Sequence, residues 1–257
     1  MGRILATIAG VSAMACLAAS CWAQQPLKAA GQDVPPWVQH DKSTGALSGV
    51  AVDLMNAVAK DAGLRVEYQV MVFADLIPAV ASAKIDVIAS NMAITPERAE
   101  KVDFSNTIYN PPTETVVVPV SDTTAYRTLA DLKGFQVGAQ KGSIQLALLQ
   151  RTGGFSEIKI YATEKDAWDA VASGEVKAAV TPGGDTIFSA KQGLLPNLRI
   201  VSSYVSPSPR PRMGFAVQKG NSELLGKINN SLARLETDGT VKAIFSKYGI
   251  DDWAPPK

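Results

Sequence analysis

Two stretches of this chain share one design. Ala79–Ser90 reads AVASAKIDVIAS and Ala170–Thr181 reads AVASGEVKAAVT, with the first four residues identical. Both then run from helix end through turn to apolar strand. A unit that recurs within one chain points to duplicated architecture, here two similar α/β lobes. The flanking residues agree. Before and within the first copy, GVAVDLMNAVAKDAG (Gly49–Gly63) spaces its apolar residues as a helix does, and Gly63 is placed to end it. LRVEYQV alternates as a half-buried strand, LIPAVASAK reads as a helix and IDVIAS as a short buried strand. Around the second copy, FQVGAQ, SIQLALLQR, EIKIYA, EKDAWDAVAS and VKAAVT give strand, helix, strand, helix, strand. That order favours mainly parallel sheets covered by helices. TETVVVPVS (Thr113–Ser121) and RPRMGFAVQKG (Arg210–Gly220) read as extended runs between the lobes, the second preceded by a stiff, proline-rich SPSPRPR. The helical stretches SELLGKINNSLARLETDG and TVKAIFSKYG are expected to return to the first lobe. The expected division is lobe one over 24–115 and 212–257, and lobe two over 116–211. Two crossings make a hinge, which suits closure around a ligand.

Composition removes several kinds of chemistry. Arg3 precedes an apolar run from Ile4 to Ala19, and Cys21-Trp22-Ala23 fits cleavage after Ala23, so 1–23 reads as a secretory signal peptide. Ala18-Ala19-Ser20-Cys21 is also a loose lipobox, leaving a lipid anchor on Cys21 as the alternative to a soluble periplasmic form. No later stretch approaches the roughly 20 apolar residues that span a bilayer. Both cysteines, Cys16 and Cys21, lie in the removable segment, so disulfide or thiol chemistry is not expected in a soluble form. His40 is the only histidine, which argues against a multi-histidine metal site and a Ser-His-Asp hydrolase. Without Arg3 the charges balance, so neither nucleic acid nor an anionic membrane surface is indicated. No cofactor or metal is called for.

One residue sits where helix electrostatics disfavours it. In SNMAITPERAEKVDFS (Ser90–Ser105), Thr95 suits an N-cap, Pro96 the first helical position and Glu97 the first turn. Arg98 does not, because the positive end of the helix dipole costs a cation there roughly 0.3–1 kcal/mol. Either Arg98 is a surface residue paired with Glu97 or Glu100, or it points toward a carboxylate that is not part of the chain.

These residues resemble a known family. LIPAVASAKIDVIASNMAITPERAEKVDFSNTIY carries the most specific match, supported in order and spacing by GVAVDLMNAVAKDAGL, LADLKGFQVGAQKGS and NSELLGKINNSLARLETDGTVKAIFSKYG. Together they resemble the family 3 periplasmic solute-binding proteins, the polar amino acid receptors of ABC importers, over roughly Pro26 to Lys257. The resemblance implies two Rossmann-like lobes with two hinge crossings, the type II binding-protein fold, working as a monomer with an ABC permease as partner. It implies that Arg98 clamps a small ligand's carboxylate, a task for which guanidinium supplies two parallel hydrogen bonds. Ser143, after Lys141-Gly142, aligns with a residue that binds the same carboxylate from the other lobe; as a helix N-cap it has a plain structural reading too. Phe73 aligns with an aromatic residue that packs on ligands, or is core. Asn91 and Met92 follow a strand's carboxyl end, where parallel sheets bind ligands, and the Thr181–Asp185 loop should face them.

The departures are as informative. Ala93 stands where relatives that bind amino acids carry a hydroxyl for the α-ammonium, and Gly183 aligns with their Asp. An early Asp and an aromatic residue correspond to Gly31 and Val34. A buried ammonium without partners costs several kcal/mol, so a ligand lacking or displacing that group is expected unless Asp185, otherwise read as the N-cap of the following helix, reaches in. Two alternatives stand beside import. One is an enzyme resembling cyclohexadienyl dehydratases, for which Lys141, Glu114 and Asp185 are near the cleft without forming an evident acid pair. The other is a binding protein serving a sensor or a periplasmic enzyme system. Trp37, Trp168 and Trp253 are candidate reporters of closure.

Overall fold

The computed structural model describes residues 25–251. The signal peptide, the Cys21 anchor and Trp253 lie outside them. The first half runs β1 (Leu27–Gly31), a small hairpin of β2 (Gln39–His40) and β3 (Leu47–Ser48), α1 (Val50–Asp61), β4 (Val66–Val70), α2 (Phe73–Ala81), β5 (Val87–Ile88), α3 (Pro96–Ala99) and β6 (Val102–Phe104). The second runs β7 (Glu114–Pro119), β8 (Gln136–Gln140), α4 (Ile144–Thr152), β9 (Glu157–Tyr161), α5 (Glu164–Ala172), β10 (Ala178–Pro182), α6 (Gly183–Lys191) and β11 (Leu198–Ile200). The chain then continues through β12 (Ala216–Gln218), α7 (Ser222–Thr237) and α8 (Thr240–Lys247).

Two five-stranded sheets result, ordered β4-β1-β5-β12-β6 and β9-β8-β10-β7-β11. Each has three parallel strands, then an antiparallel strand, β12 or β7, whose far neighbour is also antiparallel to it. The sheets are thus topological copies. The repeated sequence maps onto equivalent places in both: α2 and α5 end at Ala81 and Ala172, and β5 and β10 begin at Val87 and Ala178. The chain leaves the first sheet after β6, builds the second from β7 to β11, and returns to the first with β12, so it crosses twice. The crossings lie against each other, with the Ile108 amide donating to Met213 O at 2.8 Å and the Met213 amide to Tyr109 O at 2.9 Å.

Helices cover both faces of each sheet. The apolar stripe of α1 (Val50, Leu54, Met55, Val58) packs with Ile228 and Leu232 of α7 and Phe245 of α8 on one face of lobe one; Leu76 and Val80 of α2 cover the other. Leu146 and Leu149 of α4 and Trp168 and Val171 of α5 do the same in lobe two. Trp168 is therefore core. The start of α2 lies three residues before the expected LIPAVASAK, at Phe73, and β1, which lacks a long apolar run, lies inside its sheet between β4 and β5.

Candidate functional site

The carboxyl ends of the two sheets face each other, and the connections that leave them bring separate parts of the sequence together. Thr95 accepts a hydrogen bond from the Arg98 amide at 3.3 Å and Pro96 occupies the first position of α3, as the local sequence requires. The Arg98 side chain does not pair with Glu97 or Glu100. Only 9% exposed, its guanidinium donates from Nη1 to Ala93 O at 2.7 Å and from Nη2 to Gly142 O, in lobe two, at 3.0 Å. Its central carbon lies 5.4 Å from the centre of the Phe73 ring. Burial lowers its pKa to about 10, which leaves it charged at neutral pH. The surface ion-pair alternative is excluded, because the short turn after β5 points the side chain between the lobes.

Ala93 has a structural task that its side chain does not reveal: its carbonyl holds one edge of the guanidinium. Phe73 belongs to the lobe-one core and also presents its ring to Arg98. Gly142 (φ +76°) reaches lobe one closely enough that an added Cβ would lie 3.6 Å from the Ala74 Cα. Ser143 caps α4, its Oγ accepting from the Leu146 amide at 3.0 Å, and borders the interlobe cavity as well.

Asp185 differs from its expected place. The N-cap of α6 is Pro182 and no side chain caps that helix. Asp185, in the first turn and 1% exposed, instead receives Trp37 Nε1 on Oδ1 and Asn91 Nδ2 on Oδ2, each at 2.5 Å. Both donors belong to lobe one. The Asn91 side chain therefore faces the cleft, with its Oδ1 accepting from Ser90 Oγ at 3.1 Å. A further bridge between lobes joins Gln140 Nε2 to Gln32 Oε1 at 2.7 Å. Burial raises the Asp185 carboxyl to about 6, opposed by its hydrogen bonds with Trp37, Glu164 and Asn91.

Two aligned positions are corrected. Gly183 is not a side-chain position facing the cleft, since a Cβ there would meet Thr113 O at 1.9 Å; Pro182, Gly184 and Asp185 form that part of the wall. Gly31 could not carry an acid either, because its Cβ would lie 2.7 Å from Ala89 O. Val34 is core. The aromatic residue of that loop which reaches the cleft is Trp37, whose ring packs on Tyr109 and Phe245 while its N–H points to Asp185.

Sequence reasoning missed Gln32, Gln140 and Glu164. An acid in the first turn of an amphipathic helix ordinarily faces water and the helix dipole. Glu164 is 2% exposed because the start of α5 abuts α6 and the cleft. Its place before the apolar stripe carries no local sign of that.

Arg98, Phe73, Asn91, Ala93, Ser143, Glu164 and Asp185 all border a cavity of about 30 Å³ between the lobes. That is the share of a single water molecule. Beside it runs an open groove of about 1080 Å³ that reaches from Phe73 and Arg98 to Arg210 and Arg212 of the return crossing. The cavity itself has no room for a larger solute, whereas the groove borders Phe73, Arg98, Gly142 and Ser143. The described residues contain no grouping of three or more His, Cys, Asp or Glu able to hold a metal, and no helix long and apolar enough to cross a membrane.

Comparison with known proteins places this arrangement. The chain is 32% identical over 212 residues to the L-arginine-binding protein of Pseudomonas aeruginosa, covering 79% of this chain and 80% of that protein. It is 30% identical over 210 residues to ABC transporter arginine-binding protein 1 of Escherichia coli, covering 80% and 82%. An ancestral arginine-binding protein solved bound to glutamine superposes with a TM-score of 0.80 at 35% identity, over 88% of this chain and 98% of that one. The family model of the bacterial extracellular solute-binding proteins, family 3, matches residues 28–251, and with the two-lobed fold and its hinged cleft this chain belongs to that family.

Proposed function

We propose that the protein captures a small carboxylate-bearing ligand, an amino acid or related organic acid, by closing its lobes over it, and delivers it as a monomer to an ABC permease after export to the periplasm. The observation that carries this is Arg98. A buried guanidinium held by carbonyls alone retains most of its desolvation cost, and no Asp or Glu of the described residues lies within ion-pair distance of it. Two of its five N–H groups are used by Ala93 and Gly142, leaving donors for a ligand carboxylate. Ser143, Gly142 and the start of α4 approach the same place from lobe two.

The expected loss of the α-ammonium partner rested on Ala93, Gly183 and Gly31. Asp185 supports the opposite reading, since a buried carboxylate ringed by Trp37 and Asn91 is a suitable acceptor for an ammonium. The names of the relatives favour an amino acid too. The clamp has no need of a cofactor or metal, and the protein acts as a carrier, not an enzyme.

A thermal-shift screen of L-amino acids, amines, keto acids, dicarboxylates and aromatic acids tests this. Ligand at a hundred times its Kd adds about 2.7 kcal/mol of stability. Arg98→Ala should weaken the best hit about 30-fold or more, since truncating one side of a buried charge pair costs about 2–5 kcal/mol. Unchanged affinity would remove the clamp. Prephenate and arogenate, incubated with the protein, should come back intact; product would establish the dehydratase alternative.

A further inference from the structure

The clamp leaves one buried acid unused. Glu164 opens α5, is almost fully buried at the cavity wall, and its Oε2 finds no hydrogen-bond donor in the surrounding protein. Its one charged neighbour is Asp185, to which it hydrogen-bonds. Two carboxyl groups in contact and out of water cannot both stay ionised, so they share a proton. Burial first, then the Asp185 charge, pushes Glu164 well above the usual carboxylate range, and the proton resides there.

The other groups around the pair do not supply a counter-charge. Arg98 is the cation on the same cavity wall, and its bonds go to Ala93 and Gly142. Asn91, Gln140, Ser143, Gln145 and Trp37 are neutral. On the strands packed against α5 and α6, Glu114 is occupied by Tyr204 and Ser206, Lys159 and Tyr161 by Glu175, Glu157 by Gln136, and Arg199 by the carbonyls of Asp122 and Thr124. With Glu164 protonated, the wall carries Arg98 and Asp185 and balances to zero. With Glu164 ionised, it carries one surplus negative charge.

We infer that Glu164 is a ligand-contacting specificity residue, and that the Glu164–Asp185 pair gives up its shared proton to solvent when it takes the cationic nitrogens of an amino acid of net charge +1. Such a ligand brings two cations and one carboxylate. Its carboxylate meets Arg98, and its two cations replace the one proton while the wall and ligand together stay neutral. The O–H bond of Glu164 is the only bond broken. A zwitterionic amino acid lacks the second cation, so the pair keeps its proton when one binds. The inference rests on the interlobe cavity being the ligand site, as proposed above.

Isothermal calorimetry in two buffers of different ionisation enthalpy, with L-arginine and L-glutamine as probes, reads the exchange directly on the unaltered protein. L-arginine should release about one proton and gain affinity as pH rises above about 6, where Asp185 is ionised, by up to about tenfold per pH unit while Glu164 holds its proton in the free protein; L-glutamine should show neither. Glu164→Gln should abolish the proton release and the pH slope and erode the preference for L-arginine. Arg98-dependent binding of L-arginine without proton release would overturn the inference while leaving the carboxylate clamp standing. Tight binding of L-glutamine with none of L-arginine would overturn it as well. If no carboxylate in the screen binds, the clamp falls and the exchange with it. The wild-type measurements decide the matter even if the variant does not fold.

Discussion

Trp37 Nε1 donates to Asp185 Oδ1 at 2.5 Å, joining residues 148 positions apart and one lobe to the other. Asn91 completes the contact on Oδ2. With Arg98 to Gly142 and Gln140 to Gln32, polar side chains bridge the cleft at several points. All of these groups border or adjoin the place where a solute would enter, so a ligand has to replace these bonds with its own. By closing differentially around the lobes it can then bias them.

Removal of the Trp37 donor tests how much these bonds hold. Trp37→Phe keeps most of the packing against Tyr109 and Phe245. It loses a hydrogen bond to a charged group, which contributes about 1.5–3 kcal/mol. Small-angle scattering of the ligand-free variant should show a larger radius of gyration than wild type. An identical profile would mean the bond does not hold the lobes together.

Stability should depend on pH through Glu164. Its carboxyl sits well above 4.5 in the folded protein, so folding takes up a proton. The contribution is complete below the unfolded-chain value near 4.5 and is lost as pH rises toward the folded one, at about 1.4 kcal/mol per pH unit. Asp185, raised to about 6, acts in the same direction over the window between its unfolded value and about 6. Urea denaturation should therefore show Glu164→Gln gaining on wild type as pH increases from about 5 to about 8. A constant difference between the two proteins across that range would contradict a buried, protonated Glu164.

Arg98→Lys separates charge from shape. A lysine ammonium keeps the positive charge but not the planar fork that reaches Ala93 O, Gly142 O and a carboxylate together. Affinity for the best carboxylate ligand should fall about 10-fold or more, roughly 1.4 kcal/mol. Calorimetry giving wild-type affinity would show that charge alone suffices.

Two glycines should answer the same substitution with opposite signs. Gly183→Ala places a methyl against Thr113 O in the first crossing, and overpacking of this kind costs about 1–3 kcal/mol. That lowers Tm by about 2–12 °C for a chain of this size. Gly226, in mid-α7 with open space around it, should gain about 0.4–1 kcal/mol as Ala. Calorimetric scans that fail to separate the two variants would refute the tight approach at Gly183.

The elements and their duplication were legible because they depend on local periodicity. The stripe of α1, the Thr95-Pro96 start of α3 and the AVAS repeat each encode their structure within a dozen residues, and the mainly parallel character of the sheets followed from element order, while the strand order and the antiparallel places of β7 and β12 did not. Arg98 was legible in part: the helix dipole marked it as out of place but left a surface ion pair open, and only the family resemblance pointed it toward the cleft. What only the tertiary structure decided was which polar groups lose water. Asp185 reads locally as a helix cap and Glu164 as a solvated first-turn acid, while Trp37 shows no sign of its distant partner. Burial arises from the approach of two lobes joined by crossings more than 90 residues apart, and desolvation, which sets the charge of these acids, depends on that approach and not on neighbours in sequence.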